Sequence, residues 1–381
     1  MSETILTNAN VVLEREVIRG TVVLDGKRIH DVSIGRSHLP AAIDMEGDFV
    51  APGLVEMHTD NPEKHFVPRP NVFWPNKIAS ALAHDAQMAA AGVTTVYDSV
   101  CAGTISGEKD YRRKIFGEIV EAISDGVQAD LFRIDHKLHI RCELTAATLL
   151  EDLEPHSQNP LIGLASLMDH TPGRRQYRNA ELLKRYYVDS GEHTEASADK
   201  ALAQRAEHGP RNLEANWPII VDLFRGRGVT LATHDDTTEE DIDLARRSGA
   251  AISEFPTTVE AATAARKSGI ATVAGAPNVV RGGSHSANVS AAELAESGLL
   301  DGLSSDYVPA SLLQAVLKLD RAHEIALPSA IGMVTWRIAD MVGLSDRGRL
   351  KEGLRADVVW FRDHAGTPVV RGVWSQGRRA L

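Results

Sequence analysis

Short apolar segments alternate with helical segments through the middle of the chain, and this alternation leaves few possible folds. Consecutive parallel strands need long crossover connections, which are right-handed and usually helical. Eight such units in succession close into a (β/α)8 barrel, so the sequence predicts a TIM barrel of the α/β class. A doubly wound sheet is the alternative, but no Gly-x-Gly-x-x-Gly motif follows an early strand. The predicted barrel strands lie at about 54–58, 93–97, 135–142, 161–168, 229–233, 251–254, 271–275 and 302–305.

One connection between the predicted strands is much longer than the others. Residues from about 174 to 226 are rich in Arg, Glu, Ala and Tyr, and they predict a helical insertion over the mouth of the barrel. A dimerisation element is the other interpretation of this insertion. Residues 327–343 predict a further helix, which leads from the barrel toward the C-terminal strands.

Both ends of the chain have the pattern of short β-strands separated by turn residues such as Asp25-Gly26. Two β-rich ends that bracket one central block predict a second module assembled from both termini. We therefore expect a small β-sandwich from residues 1–50 and 347–381, and a barrel over residues 51–346.

Charge and cysteine usage narrow the classes of function. The formal net charge of −11 over 381 residues argues against a general nucleic-acid or membrane-surface binder, although a few local cations can still bind a small anion. The two cysteines, Cys101 and Cys142, form no metal or redox motif, which suits a reducing compartment. The N-terminal residues lack the pattern of a secretory signal, so the expected location is the cytoplasm.

Nearly every predicted strand ends in a side chain that can bind a metal or transfer a proton. Active sites of such barrels lie at the carboxyl ends of the strands. His58 and Asp60 are two residues apart on the first strand and therefore share a face. Imidazoles with carboxylates favour a divalent ion, Zn²⁺ first and Mn²⁺ as the alternative, as one ion or two. Asp306, after the eighth strand, is predicted as ligand and general base. The predicted metal ligands are His58, Asp60, Glu143, His170, His234 and Glu254.

Several of these residues have a second interpretation. Asp60 could orient a histidine instead of binding metal, and Glu143 could pair with Arg141. His170 could bind substrate oxygens, and Glu254 could form a salt bridge with an arginine of the barrel. The histidines for which a structural or supporting place is expected are His65, His136 and His139.

The sequence also resembles a known superfamily. The segments 51–58, 92–96 and 305–306, together with a β module split between the termini, are similar to those of the amidohydrolase superfamily. A closer resemblance, to the PhnM family of diphosphatases in the carbon–phosphorus lyase pathway, covers essentially the whole chain. It rests on residues 58–61, 66–70, 167–173, 253–258, 275–286 and 304–307.

The chain departs from the superfamily pattern at two positions. Asp60 stands where a second histidine is common, and Glu254 stands near the place where the sixth strand usually offers a histidine. Both departures leave the number and identity of the metal ions open. The PhnM family, which the sequence resembles more closely, shares both departures.

The PhnM resemblance implies a metal-dependent hydrolase that converts α-D-ribose 1-methylphosphonate 5-triphosphate, or a close analogue, into the 5-phosphate and pyrophosphate. It implies that His58 and His234 are ligands, that Glu143 is a bridging or single-metal carboxylate, and that Asp306 is the base. Such an anionic substrate would be held by cations and backbone N–H groups of the strand-end loops. The predicted phosphate-binding residues are Lys64, Arg69, Arg141, Arg174, Arg281, Ser284 and His285.

Two other functions compete with this one. The same fold could hydrolyse a C–N bond as an amidase, deacetylase or deaminase, although the loops carry more Arg and Lys than a neutral amide needs. A catalytically silent barrel that serves as an assembly partner would be expected to lack ligands, whereas His58, His234 and Asp306 remain. The expected partners are a small anionic phosphorylated substrate and, through a shared pathway, other enzymes of phosphonate use, with a homodimer as an option.

Overall fold

The predicted barrel strands are all present, and each begins within one residue of its predicted start. The computed structural model describes residues 3–69, 72–103, 111–175, 183–185, 188, 194–284 and 288–381. Its strands are, in chain order, β1 (Thr4–Val12), β2 (Val17–Asp25), β3 (Arg28–Ile34), β4 (Ile43–Asp44), β5 (Phe49–Pro52), β6 (Leu54–Thr59), β7 (Val93–Ala102), β8 (Asp135–Glu143), β9 (Ile162–Met168), β10 (Thr230–His234), β11 (Ile252–Glu254), β12 (Ala271–Gly275), β13 (Gly302–Ser304), β14 (Val358–His364), β15 (Thr367–Ser375) and β16 (Arg378–Arg379).

Strands β6 to β13 stand side by side in chain order in one parallel sheet, which confirms the predicted (β/α)8 architecture. These strands are buried almost throughout, as expected when helices cover a parallel sheet. The sheet closes where the chain leaves β13. The backbone N–H of Asp306 donates to the carbonyl of His58 at 3.1 Å, and the N–H of Asp60 donates to the carbonyl of Asp306 at 2.9 Å. The last strand end therefore lies directly beside the first.

A buried carboxylate joins the first and last strands inside the barrel. Glu56 accepts the backbone N–H of His58 through one oxygen and that of Ser305 through the other, each at 2.6 Å. Burial raises the pKa of Glu56 to about 7, although both N–H groups act in the opposite direction. Glu56 thereby fixes the position of the strand end that carries His58.

Helices follow most of the barrel strands. Thr238 and Thr258 cap two of them, because each hydroxyl accepts a backbone N–H of the first helical turn. Within the described residues no helix is long and apolar enough to span a membrane. The helices are α1 (Asn61–Phe66), α2 (Lys77–Ala90), α3 (Tyr111–Gln128), α4 (Leu149–Leu153), α5 (Glu195–Arg225), α6 (Glu239–Arg247), α7 (Val259–Ser268), α8 (Ala276–Arg281), α9 (Ala291–Glu296), α10 (Ser311–Ala322), α11 (Leu327–Gly332) and α12 (Trp336–Met341).

The second sheet contains strands from both ends of the chain, as predicted. Its order is β16-β15-β14-β5-β1-β2-β3, and β4 pairs with β1. The N-terminal and C-terminal contributions meet where β5 pairs with β14 in antiparallel orientation. There the rings of Phe49 and Phe361 stack with their centroids 5.3 Å apart. β5 ends only two residues before the first barrel strand, so this sheet holds the entry to the barrel.

The long connection contains the helix α5, which lies against the loop after β8. Its buried face includes Arg205, Gly209 and Asn216. The side-chain amide of Asn216 donates to the carbonyls of Leu144 and Ala146, at 2.9 and 3.1 Å. Because this loop directly follows Glu143, α5 is fixed next to a predicted metal ligand.

The segment 327–343 differs from its prediction as one helix. It forms two short helices, α11 and α12, with a break between them. Thr335 leaves the helical region with φ −135° and ψ −103°, and its hydroxyl donates to the carbonyl of Ile331 at 2.7 Å. Hydroxyl side chains compete with the helical backbone in this way.

Candidate metal centre

Histidines from different strand ends meet at the mouth of the barrel. His58 ends β6 and His234 ends β10, and their ring centroids are 5.5 Å apart. His170, which follows β9, lies with its ring centroid 6.0 Å from that of His234. Phe255 packs against His58 and His234, with centroid distances of 4.9 and 5.0 Å. Residues far apart in the chain thus form one cluster of imidazoles.

Each of these three histidines directs its Nδ1 atom at a carboxylate. The distances are 3.1 Å from His58 to Glu254, 2.5 Å from His170 to Glu143 and 2.6 Å from His234 to Asp235. A ring that donates through Nδ1 keeps its Nε2 lone pair for another partner. Carboxylate–histidine pairs of this kind orient and strengthen histidine ligands in metal sites. The three pairs therefore present three Nε2 atoms.

The donor set fits a divalent metal ion. The Nε2 atom of His234 is buried and meets no hydrogen-bond partner in the described part of the chain. Two triads, His58–His139–Glu254 and His170–His234–Asp235, each offer three ligand atoms within 4.8 Å of one another. Imidazole nitrogen with carboxylate oxygen is a typical donor combination for such ions.

His139 on β8 belongs to this cluster, although the sequence favoured a supporting or structural place for it. Its Nδ1 atom lies 2.9 Å from the carbonyl of Met57, and its Nε2 atom lies 2.5 Å from the hydroxyl of Ser166. That hydroxyl donates to Glu254 at 2.5 Å. Burial lowers the pKa of His139 to about 3, so the ring is neutral. A neutral imidazole is the form that binds metal.

The carboxylates of the cluster are held as anions. Burial alone would favour their neutral forms, but His170 and Arg205 lower the pKa of Glu143 to about 2. Burial also favours the neutral form of Glu254, but the neighbouring histidines outweigh burial and lower the pKa of Glu254. Burial opposes protonation of His170, but its carboxylate neighbours raise the pKa of that ring to about 9. The carboxylates are therefore anionic, and a bound metal ion would displace the second proton of His170, because metal binding requires a neutral imidazole.

Asp60 and Arg141 form a buried ion pair at the edge of the cluster. Nη1 of Arg141 lies 2.5 Å from Oδ1 of Asp60. Burial opposes ionisation, but Arg141 lowers the pKa of Asp60. Glu143, for which Arg141 was considered as a partner, pairs with His170 instead. Glu254, for which an arginine partner was considered, pairs with His58 instead.

Asp306 lies beside this ion pair. Its backbone is bonded to both His58 and Asp60, and the residue is half-buried. Burial and then the charge of Asp60 raise the pKa of Asp306 above that of an ordinary aspartate. A raised pKa makes a carboxylate a better proton acceptor near neutral pH.

Left-handed backbone conformations cluster at the strand ends. Asp235, Phe255 and Asp306 have φ values of 58°, 54° and 53°. The first two directly follow the last residue of β10 and β11, and the third follows β13 after one residue. Non-glycine residues in this region cost energy and occur often at functional sites.

The predicted phosphate-binding residues are placed unequally. Arg141 is buried in the cluster, and Lys64 on α1 donates to the carbonyl of Tyr307 at 2.5 Å, next to Asp306. Arg174 is exposed and lies 3.5 Å from Asp169. Arg69 and Arg281 are exposed, and Ser284 is half-buried. His285 lies outside the described residues.

Sequence reasoning assigned no role to several residues of the site. Asp235 directly follows His234 at the end of a barrel strand, and this position is a usable signal. Arg112 on α3 donates to Glu63 at 3.0 Å and acts electrostatically on Asp60, and no pattern in the sequence indicates this. Arg205 on α5 acts in the same way on Glu143. Its place on the buried face of a helix becomes clear only once α5 is docked.

Comparison with known proteins gives a relative along the full length. No protein-family model matches the chain. A protein of Escherichia coli (strain K12) named alpha-D-ribose 1-methylphosphonate 5-triphosphate diphosphatase is 42% identical over 379 residues, which is 99% of this chain and 100% of that protein. The chain belongs to this diphosphatase family. The resemblance expected from the sequence is therefore confirmed.

Solved structures place the diphosphatase family in a wider fold group. 5-methylcytosine deaminase from Klebsiella pneumoniae superposes with a TM-score of 0.67 at 14% identity, over 99% of this chain and 97% of that chain. N-acetyl-D-glucosamine-6-phosphate deacetylase from Mycobacterium smegmatis has a TM-score of 0.61 at 16% identity, over 99% and 100%. Dihydropyrimidinase from Brevibacillus agri has a TM-score of 0.60 at 13% identity, over 99% and 95%. The shared fold is that of the amidohydrolase superfamily, as expected.

Proposed function

We propose that this chain hydrolyses α-D-ribose 1-methylphosphonate 5-triphosphate, or a close analogue, to the 5-phosphate and pyrophosphate. The observation that carries the proposal is the 42% identity to the Escherichia coli diphosphatase over 99% of the chain. The cluster of histidines and carboxylates at the barrel mouth, with Arg141 and Lys64 beside it, supports the same chemistry. The proposed place of this reaction is the cytoplasm, which suits the free thiols of Cys101 and Cys142.

A divalent ion would be held by the Nε2 atoms of His58, His170 and His234. Asp60, Glu143 and Glu254 complete the ligand set that the sequence predicts. Two triads of donors favour two ions, and mixed nitrogen and oxygen donors favour Zn²⁺. When bound, such an ion polarises a phosphoryl oxygen and lowers the pKa of water toward neutrality.

Asp306 takes the proton from the attacking water in this proposal. Its partial burial and then the negative charge of Asp60 raise the pKa of Asp306, and with it the affinity of the carboxylate for a proton. The backbone bonds of Asp306 to His58 and Asp60 hold it against the first strand end. The base is thereby fixed relative to the histidines, which reduces the entropic cost of reaching the transition state.

Cations around the cluster neutralise the triphosphate. Burial opposes the charge of Arg141, but Asp60 outweighs burial and raises the pKa of Arg141, so the guanidinium group stays charged. Lys64 projects from α1 beside the loop that carries Asp306. Guanidinium groups make paired contacts with phosphate oxygens, and an ammonium group acts as a point charge. Phosphoryl transfer depends on such charge stabilisation more than on covalent chemistry.

The product of hydrolysis tests the proposal. Metal-loaded protein is incubated with a ribose 5-triphosphate analogue, and the phosphorus products are separated by chromatography. The expected product is pyrophosphate, with the sugar recovered as its 5-phosphate. Release of single phosphate only, or turnover of N-acyl substrates without turnover of the triphosphate, would refute it. Protein treated with a chelator is the control and should be inactive until a divalent ion is restored.

A further inference from the structure

A second cluster of titratable side chains lies behind the barrel wall, between α2 and the strands β7 and β8. His84 and Asp85 come from α2, Asp98 from β7 and His136 from β8. All four side chains are fully buried. None of them takes part in the proposed reaction, and buried charged groups of this kind are costly unless paired.

The four side chains form a continuous series of hydrogen bonds. His84 donates from Nε2 to Oδ1 of Asp98 at 2.6 Å, and His136 donates from Nδ1 to Oδ2 of the same carboxylate at 2.7 Å. The other nitrogen of His136 lies 3.4 Å from Oδ1 of Asp85. His136 thus faces a carboxylate on each side, and both of its ring nitrogens are donors.

Asp85, at the outer end of the series, is hydrogen-bonded to the residues that directly precede β8. Asp85 accepts the backbone N–H groups of Arg133 and Ile134, at 2.9 and 3.2 Å. It also accepts Nη1 of Arg133 at 2.9 Å. Positive and negative groups therefore alternate from Arg133 through Asp85 and His136 to Asp98.

The inner end of the series reaches the first residue of α1. The side-chain amide of Asn61 lies 2.9 Å from Nδ1 of His84 and 3.0 Å from Oε1 of Gln87. The amide nitrogen also lies 3.3 Å from Nε2 of His65, but its two hydrogens point to the closer acceptors on His84 and Gln87. Nδ1 of His84 is then an acceptor, and the proton of that ring lies on Nε2, directed at Asp98.

The same donors and acceptors argue against a metal ion at this place. His84, Asp98 and His136 lie close enough together to hold one. However, both histidine nitrogens that face Asp98 carry protons in the pattern just described, so neither offers a lone pair. The hydrogen bonds already satisfy every one of these groups. A hydrogen-bonded series accounts for the cluster without an ion.

Helix α1 connects this series to the candidate metal centre. Asn61 directly follows Asp60, whose N–H is bonded to Asp306. Lys64, one turn further along α1, donates to the carbonyl of Tyr307. α1 contains only six residues, so its own hydrogen bonds cannot hold it in place. Its position therefore depends on what its side chains contact, among them Asn61, Glu63 and the fully buried Phe66.

We propose that Asn61, His84, Asp98, His136 and Asp85 form an α1 anchor, which positions Asp60 and Lys64 in front of the metal centre. This inference rests on the proposed function for its effect on turnover. The members of the anchor are positioning residues, because none of them contacts the reacting groups. Partners behind a metal site typically change activity by about 10- to 100-fold when they are removed. A displacement of about 1 Å in a reacting group has a similar effect.

The substitution His84→Phe tests the anchor. It keeps a ring of similar size and removes both hydrogen bonds at the inner end. The matched control is Met88→Ala, one turn further along the same helix, because Met88 is fully buried and lies in the apolar core. Both variants are compared with the wild-type protein for thermal midpoint, metal content, kcat, KM for the triphosphate analogue, and hydrogen exchange of the α1 amides.

The expected result is a specific effect of His84→Phe. Its kcat/KM falls about 10- to 100-fold with metal content retained, and the amides of α1 exchange faster. Met88→Ala lowers the thermal midpoint but leaves the rate per folded molecule and α1 exchange close to wild type. Equal losses of rate in both variants would overturn the anchor, and so would loss of a metal equivalent from His84→Phe alone.

Two provisions keep the outcome interpretable. Should His84→Phe fail to fold, Asn61→Ala breaks the same hydrogen bond from the side of α1, with the same expected changes in rate and exchange. The hydrogen-exchange comparison does not depend on the substrate. Failure of the wild-type protein to release pyrophosphate would therefore refute the proposed function. Unchanged exchange of the α1 amides in His84→Phe, or in Asn61→Ala where that variant replaces it, would refute the anchor.

Discussion

The carboxylate of Asp306 is the side chain on which the proposed reaction depends most directly. In Asp306→Asn the group can no longer take a proton, so kcat should fall by about 10²- to 10⁴-fold. The repulsion between Asp306 and Asp60 also disappears, so the thermal midpoint should not fall. Steady-state kinetics, metal analysis and thermal denaturation check these outcomes. A wild-type rate would show that another residue is the base, and loss of bound metal would show that Asp306 acts as a ligand.

The histidine His136 should give the fold a pH dependence in the alkaline range. Burial lowers its proton affinity, but Asp98 and Asp85 outweigh this and raise its pKa to about 9 from the ordinary 6.5. The stabilisation by the charged ring is therefore complete below pH 6.5 and is lost as the pH rises through about 9. Between these two pH values, the free energy of unfolding should fall by on the order of 1 kcal/mol per pH unit.

The substitution His136→Gln measures this contribution. The variant should be less stable than the wild-type protein at pH 6, and the difference should shrink toward pH 10. Urea denaturation at pH 6, 8 and 10 gives the free energies of unfolding. His208→Gln, at an exposed position of α5, is the control and should change nothing. A difference that stays constant with pH would show that His136 is not charged in the folded protein.

Helix α5 contributes more to the site than its sequence suggested. Its buried face carries Arg205, whose charge helps to lower the pKa of Glu143. We expect Arg205→Ala to raise KM for the triphosphate about tenfold or more, because it removes a buried cation that acts on Glu143 at the proposed substrate site. KM for a neutral substrate analogue should change little.

The same helix offers a matched control for this prediction. Arg211 lies on α5 but is exposed, so Arg211→Ala should leave both KM values unchanged. Steady-state kinetics with both substrates would separate recognition of phosphate from general damage to α5. An equal rise in KM for the charged and the neutral substrate would remove Arg205 from phosphate recognition.

The strands could be predicted from the sequence because each is a short, buried apolar run between breaks. Their carboxyl ends point into one mouth in any such barrel, so His58, His234 and Glu254 could be grouped before any coordinates existed. The hydrogen-bond partner of each of these side chains could not be predicted. His58 and Glu254 are 196 positions apart, and only the docked strands show that Nδ1 of one meets the carboxylate of the other.

Helix α1 escaped prediction for a different reason. The sequence analysis places Lys64 in a strand-end loop, but Pro62 suits the first turn of a helix. Six residues are too few to show a helical period. The partners of Asn61 and His84 likewise lie on three separate elements, so local sequence carries no trace of the α1 anchor.

A partly buried group of charges links the two sheets of the protein, in addition to the apolar core that they share. Asp135, the first residue of β8, accepts Nη1 of Arg347 at 2.5 Å and Nη1 of Arg355 at 2.7 Å. Both arginines belong to the segment that leads into β14. Burial opposes ionisation of Asp135, but the two arginines lower its pKa to about 2.

Removal of this one carboxylate should destabilise the protein at neutral pH. Asp135→Asn leaves two largely buried arginines without their shared anion, and a pKa lowered from 3.8 to about 2 corresponds to a cost of about 2–3 kcal/mol. Asp130→Asn is the control, because Asp130 joins the same two parts of the protein through an exposed pair with Arg378 and should cost at most about 1 kcal/mol.

The stabilisation by Asp135 should depend on pH in the acidic range. Since the folded pKa of Asp135 is lowered from 3.8 to about 2, its stabilisation is present above pH 3.8 and is lost as the pH falls through about 2. The difference in free energy of unfolding between the wild-type protein and Asp135→Asn should therefore be constant from pH 7 to about 4 and shrink below that. Urea denaturation across this range measures it. A difference that persists at pH 2, or an equal cost for Asp130→Asn, would show that the charge of Asp135 does not hold the two sheets together.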